Sequence, residues 1–114
     1  MVKTRTWILI TAVLLPTVAQ ANGEKGKTLY GKYCVACHGE SGKGDGPAGA
    51  ALKPKPRDLT DKAYMDSVKD EYLAAIIQKG GPAVGKSALM PAWGAMLKDD
   101  DVRDVVEFIK GLAK

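Results

Sequence analysis

Both cysteines and the only histidine of the 114-residue chain fall in five consecutive positions, Cys34-Val-Ala-Cys37-His38. Three of its most reactive side chains are thus committed to one spot. A chain this short buries only a modest share of its surface, and small exported domains commonly add a disulfide, a metal or a cofactor. With two cysteines, either they form one disulfide or they hold something.

The N-terminus bears on which. Lys3 and Arg5 precede an apolar run from Trp7 to Leu15 broken only by Thr11; Pro16 ends the run, and Ala19-Gln20-Ala21 follows as an A-x-A signature. This is the secretory signal pattern, too short for the roughly 20 residues that span a bilayer. Residues 1–21 are therefore expected to be a cleaved signal peptide and residues 22–114 a single domain, with an uncleaved membrane anchor as the rival reading. The expected product is exported, periplasmic, not stably inserted in a membrane and monomeric. Of 17 basic and 13 acidic side chains, Lys3 and Arg5 leave with the signal, and the net charge falls from +4 to +2. The lysines that remain are interspersed with Asp and Glu, which excludes a nucleic-acid-binding signature.

Periodicity gives the class. Residues 23–38 read as a helix running into the cysteine pair, with Leu29, Tyr30 and Tyr33 on one face. Residues 39–58, rich in Gly and Pro, read as a long ordered loop with a short turn around Ala48 to Leu52, the kind of loop that runs over whatever a scaffold holds. Ser67 with Asp70 reads as a capping box before Val68, Tyr72, Leu73, Ile76 and Ile77, and Gly80-Gly81 as that helix's stop. A second loop spans 82–93. The last helix starts in Asp99-Asp100-Asp101, where negative charge suits a helix N-terminus, and carries the stripe Val102, Val105, Val106, Ile109 and Leu112, with Phe108 at its edge. Period-2 alternation is absent, so the expected class is all-α, three to four helices joined by long loops. Helices this short cannot enclose a continuous core alone, and something large and apolar is expected between them.

C-x-x-C-H is the attachment signature of c-type haem. Thiols three positions apart reach the two vinyl groups at adjacent edges of the porphyrin, and His38 falls beneath the ring, where it can bind the iron. A zinc site would be one ligand short, and a thioredoxin-like pair would need a βαβ context. A disulfide would leave His38 without a reason.

From Gly26 to Leu112 the chain resembles the class I cytochromes c, the small monohaem type of bacterial periplasms. The resemblance rests on Gly26 and Tyr30, on C-V-A-C-H, on Gly46-Pro47, on Met90-Pro91 and on the "VVEFIKGL" helix. "CHGESGKGDGPAGAALKPKPRDLT" is itself similar to a bacterial subgroup with CHG-x-x-G-x-GDGP. The resemblance implies the cytochrome c fold wrapped around one covalent haem, with the first and last helices crossing at Gly26 and Tyr30 against Val105 and Phe108. It also implies that the Pro47 carbonyl accepts the Nδ1–H of His38.

A sixth iron ligand must come from elsewhere, since no second histidine exists. Met65, Met90 and Met96 remain in the expected mature chain, besides the lysines. Met90 is the expected ligand, because Pro91 holds the residue before it out of the α region and the family's M-P pattern matches. Met65 and Met96 are expected to be core filler. Arg57, like Lys55, is expected either at a haem propionate or in an exposed pair with Asp58. Trp93, Tyr33 and Tyr72 are expected as haem-wall or core aromatics.

Closing both axial positions leaves no open site for a substrate, and one-electron transfer is the chemistry that remains. The expected function is a soluble electron carrier, not an enzyme, that docks transiently with a redox protein donor and acceptor. The rivals are a haem enzyme or gas sensor with a displaceable sixth ligand, and an electron-transfer subunit of a larger oxidoreductase.

Overall fold

The computed structural model describes residues 2–4, 7–14, 21–87 and 89–114. Arg5, the end of the apolar run at Leu15 and Pro16, and Ala19 and Gln20 of the A-x-A signature lie outside the described residues. Within Trp7–Leu14 the chain is not helical and its large side chains stand in the open, Trp7 at 84% and Leu14 at 93% exposure. Among the described residues no helix is long and apolar enough to cross a membrane.

The described residues hold helices and no strand, as the sequence leads one to expect. In chain order they are α1 (Ala21–Tyr33), the single turn α2 (Val35–His38), α3 (Lys62–Ser67), α4 (Asp70–Lys79), a 3-10 turn (Gly81–Val84) and α5 (Asp99–Leu112). The α1 hydrogen-bond ladder carries into α2 through the Cys34 N–H, which donates to the Tyr30 carbonyl at 2.9 Å.

Two details depart from expectation. The helix α3 sits where the sequence shows no clear period, and the Asp61 side chain caps it by accepting the Tyr64 N–H at 3.1 Å. Ser67 does not cap α4: its hydroxyl donates to the Tyr64 carbonyl at 2.6 Å and closes α3 instead, so α4 begins after Lys69 with no side-chain cap. The expected stop at Gly80 is present.

The core forms where α1 crosses α5. Val102 and Val105 are 1% exposed, with Val106, Ile109 and Tyr30 beside them; burying each such side chain contributes about 1.5 kcal/mol or more. The Tyr30 and Phe108 rings meet at 5.1 Å between centroids, tilted by 49°. The backbones come close at Gly26, where a Cβ would lie 2.2 Å from the Asp104 carbonyl oxygen. At the start of the crossing, Lys25 reaches Asp101 at 2.7 Å and Asp104 at 3.8 Å. The Asp101 carboxylate also accepts the Lys98 N–H at 3.0 Å, fixing the first turn of α5.

These contacts have a pH signature. The hydrogen bond from Lys25, then that from the Lys98 backbone, holds the Asp101 carboxyl below its ordinary 3.8, and Asp101 raises the Lys25 ammonium above 10.5. A depressed carboxyl stabilises the fold above its unfolded pKa, and the stabilisation is lost as pH falls through the lower folded value. A raised amine stabilises below its unfolded pKa, and the contribution is lost as pH rises through the higher one. Asp101→Asn is therefore expected to lower Tm at neutral pH, with the difference from the parent shrinking below about pH 4. A Tm gap that stays constant down to pH 2 would disprove the link.

Candidate functional site

Beneath the α1–α5 seam lies an apolar cavity, partly open to solvent. Cys34 and His38 line one side; Met90 lines it from the loop after the 3-10 turn. Leu59, Tyr64, Tyr72, Leu73, Ile76 and Ile109 supply most of the remaining wall. The middle of the molecule is thus an apolar pocket between helix faces.

The one-turn helix α2 sets the geometry of the first side. The His38 N–H donates to the Cys34 carbonyl at 2.9 Å, so both cysteines and the histidine sit on a single turn. The loop behind packs against this turn: the Gly46 and Ala48 N–H groups donate to the carbonyls of Cys37 and Ala36, at 3.2 and 2.8 Å. A Cβ on Gly46 would fall 2.4 Å from the Val35 oxygen, so only glycine admits that approach.

The titration behaviour of the turn suits a ligand site and not a redox pair. Cys34 and Cys37 are not joined as a disulfide. Burial, with Cys37 beside it, pushes the Cys34 thiol up to about 11, whereas reactive thiols of C-x-x-C redox pairs have depressed values. Burial lowers the His38 pKa, countered in part by the Arg57 main chain, and so keeps the imidazole neutral with a lone pair available for a metal. Among the described residues no group of three or more His, Cys, Asp or Glu could hold a bare metal ion.

The His38 Nδ1 is buried and has no hydrogen-bond partner among the described residues. The expected bond to the Pro47 carbonyl is therefore not formed. Pro47 is exposed on the turn that packs over α2, and the backbone beside the ring is that of Arg57. An orphaned, neutral imidazole, two free thiols on its own turn and a wall of apolar side chains fit a flat, apolar, iron-bearing group attached through sulfur.

The methionines separate cleanly. Met90 lines the cavity; Met65 is 2% exposed, packed in the core and absent from the wall; Met96 is 61% exposed. The core reading thus holds for Met65 and fails for Met96, which lies on a surface turn just before α5. Arg57 stands at the cavity, its guanidinium 3.5 Å above the Tyr64 ring and 3.9 Å from Asp61. The alternative pair with Asp58 is not made, because Asp58 accepts both the N–H and the hydroxyl of Thr60. Tyr72 is in the wall, but Trp93 is not: it packs on Tyr33 at 5.2 Å, and its main-chain N–H donates to the Ile77 carbonyl. Sequence reasoning missed Leu59 and Tyr64 as wall residues; the signal was Asp61, three positions before Tyr64 and placed to cap a helix.

Comparison with known proteins agrees with this geometry. Residues 23–113 match the family described as Cytochrome c. The chain is 30% identical over 98 residues to the Cbb3-type cytochrome c oxidase subunit FixP of Bradyrhizobium diazoefficiens, covering 86% of this chain and 30% of that protein. It is 29% identical over 92 residues to the subunit CcoP of Azospirillum brasilense, covering 81% of this chain and 29% of that one. The chain thus spans less than a third of the length of these relatives. Among solved structures it is similar to the KustC0563 c-type cytochrome, with a TM-score of 0.63, 24% identity and coverage of 78% and 98% of the two chains. It is also similar to a chain of the Kuenenia stuttgartiensis reducing HAO-like protein complex, with a TM-score of 0.62, 30% identity and coverage of 79% and 42%.

Proposed function

Because the chain belongs to the cytochrome c family, with an all-α fold and a covalently bound c-type haem, we propose that it is a soluble one-electron carrier with His38 and Met90 as axial ligands. Cys34 and Cys37 would hold the group as thioethers. When bound, the haem supplies an iron that cycles between ferric and ferrous states. The observation that carries this reading is that Met90, alone of Met65, Met90 and Met96, lines the cavity that His38 lines.

The residues around the site do three things. His38, kept neutral by burial, offers a nitrogen lone pair, and Met90 offers a soft thioether that favours the ferrous state relative to a second imidazole. Leu59, Leu73, Ile76 and Ile109 line the cavity with apolar surface and so limit the water that can reorganise around a changing charge. Arg57 stands where it can pair with a carboxylate at the cavity mouth. None of these side chains is asked to do acid–base or nucleophilic work, and the chain on this reading has no catalytic residue of its own.

Residues 1–21 act as a cleaved export signal, placing residues 22–114 in the periplasm as a monomer. Partners are redox proteins, one donating and one accepting the electron, each bound briefly. A second reading has specific support: the relatives are named as oxidase subunits, and one structural neighbour belongs to a reducing HAO-like protein complex. On that reading the domain is a stably bound electron-transfer subunit. Size-exclusion chromatography of the natively produced protein separates the two, a peak near the mass of the free domain favouring the carrier.

Met90→Ala tests the ligand set. The oxidised parent is expected to show the weak far-red band of sulfur–iron bonding. The variant is expected to lose it completely, to bind carbon monoxide when reduced, and to have a lower reduction potential. Met96→Leu and Met65→Leu are expected to leave all three unchanged, since one side chain is exposed and the other swap conserves volume. A band that survives in Met90→Ala would remove Met90 from the iron.

A further inference from the structure

His38 and Met90 stand on different sides of the cavity, and one iron can bind both only while those sides keep their distance. His38 belongs to α2, which continues the α1 ladder past Cys34. Met90 belongs to the segment after the 3-10 turn, and main-chain bonds on either side of it fasten that segment to the end of α4. The Gly81 N–H donates to the Met90 carbonyl at 3.0 Å, the Trp93 N–H to the Ile77 carbonyl at 2.9 Å, and the Gly94 N–H to the Gln78 carbonyl at 3.1 Å. The Met90 segment therefore moves with α4.

Both α1 and α4 pack against α5, so the two sides meet through a third helix. A direct tie joins them as well. Tyr33, the last residue of α1 and the neighbour of Cys34, sets its ring on that of Trp93, three positions after Met90. The centroids lie 5.2 Å apart and the planes are tilted by 48°, a geometry in which aromatic pairs attract beyond the area they bury. Both residues are half-buried and pack on the core beside the cavity without lining it. The Trp93 carbonyl accepts the Met96 and Leu97 N–H groups at 2.9 and 2.8 Å, so its ring stands on a backbone that is held from both directions.

Resting on the proposed ligation by Met90, we infer that Tyr33 and Trp93 are positioning residues: their ring contact latches the Met90 segment to the element that carries Cys34, and so sets how often Met90 leaves the iron. A carrier needs that escape to be rare, because an iron that sheds its sulfur is open to small molecules. The latch acts through local opening, in which one segment swings out while the α1–α5 seam stays packed.

Imidazole added to the oxidised holoprotein reads the latch. It takes the iron only after the Met90 sulfur has left: an iron–sulfur bond breaks and an iron–nitrogen bond forms, with no change of oxidation state. Trp93→Leu and Tyr33→Leu are each expected to speed imidazole binding by about threefold to tenfold, the range spanned by the energy of one aromatic pair. Before imidazole is added, both variants keep the far-red band. Tyr33→Phe retains the ring and is expected to bind at the parent's rate. The double variant is expected to be no faster than the faster single one, since the contact is already lost. Phe108→Leu, which loosens the α1–α5 seam, is expected to lower Tm and leave the rate as in the parent. Parent rates in the two leucine variants would overturn the inference, even with a lower Tm. So would multiplying effects in the double variant, or an equal rise in Tyr33→Phe or Phe108→Leu. If Trp93→Leu does not fold, Tyr33→Leu, at a half-buried helix end, carries the test with its phenylalanine control. A parent without the far-red band would defeat Met90 ligation and the latch with it, whereas a parent with the band and unchanged variants defeats the latch alone.

Discussion

Replacing Cys34 and Cys37 together by alanine is expected to leave a chain with residual helix but no cooperative thermal transition. The cavity is the reason. Its wall of Leu59, Tyr64, Tyr72, Leu73, Ile76 and Ile109 needs an apolar partner. Each of these side chains left without an apolar partner forfeits up to about 1.5–3 kcal/mol of burial. The whole stability of a small domain is about 5–15 kcal/mol. The helix faces would therefore be free to collapse or rearrange. The checks are near-ultraviolet circular dichroism, dye binding to exposed apolar surface and calorimetry on the double variant. A sharp native-like melt without bound haem would refute the dependence.

The second large effect is expected at the crossing of α1 and α5. Gly26 and Gly31 both lie inside α1, and helix propensity alone predicts that alanine at either would stabilise by up to about 1 kcal/mol. Surroundings divide them. A Cβ on Gly31 meets nothing within 4 Å, whereas one on Gly26 would lie 2.2 Å from the Asp104 oxygen and 2.8 Å from its carbon. Backbone cannot swing aside as a flexible side chain can, so the helices must separate and the Tyr30–Phe108 and Lys25–Asp101 contacts stretch. Gly26→Ala is expected to cost about 3 kcal/mol or more, a fall in Tm on the order of 15 °C for a domain of this size. Gly31→Ala is expected to raise Tm slightly. Thermal melts of the two holoproteins, side by side, decide it: equal shifts of one sign would mean that the close approach is not the determinant.

The features legible in the sequence were those written in neighbouring residues. Cys34, Cys37 and His38 share one turn because the spacing demands it, and the Val102–Ile109 stripe marks the buried face of α5 by period alone. Gly80 stops α4 for local reasons also. What was not legible depended on contacts across the fold. The S-x-x-D pattern at Ser67 is real, but its hydroxyl has a nearer carbonyl at Tyr64, and α3 is too short to show a period. Trp93 could equally have faced the cavity or the core; the Tyr33 ring, distant in sequence, puts it against the core. Met96 reads as apolar and sits in the open. The Lys25–Asp101 pair and the bond from the Tyr30 hydroxyl to the Gly39 carbonyl carry no signature, since nothing in a lysine or a tyrosine announces its partner.

The seam between α1 and α5 also has a consequence in time. Nearly the whole domain separates Gly26 from Asp104, so the contact closes a loop of almost the chain's full length, and its entropic cost must be met before it gives anything back. A chain is made from its N-terminus onward, and α5, the last fourteen-residue helix, arrives at the end. Until then Tyr30 has no Phe108 to rest on, and the cavity that Cys34 and His38 line lacks the wall of Val105 and Ile109. The order of residues thus sets an order of events: the turn that carries the thiols is made first, and the cavity beside it is closed last.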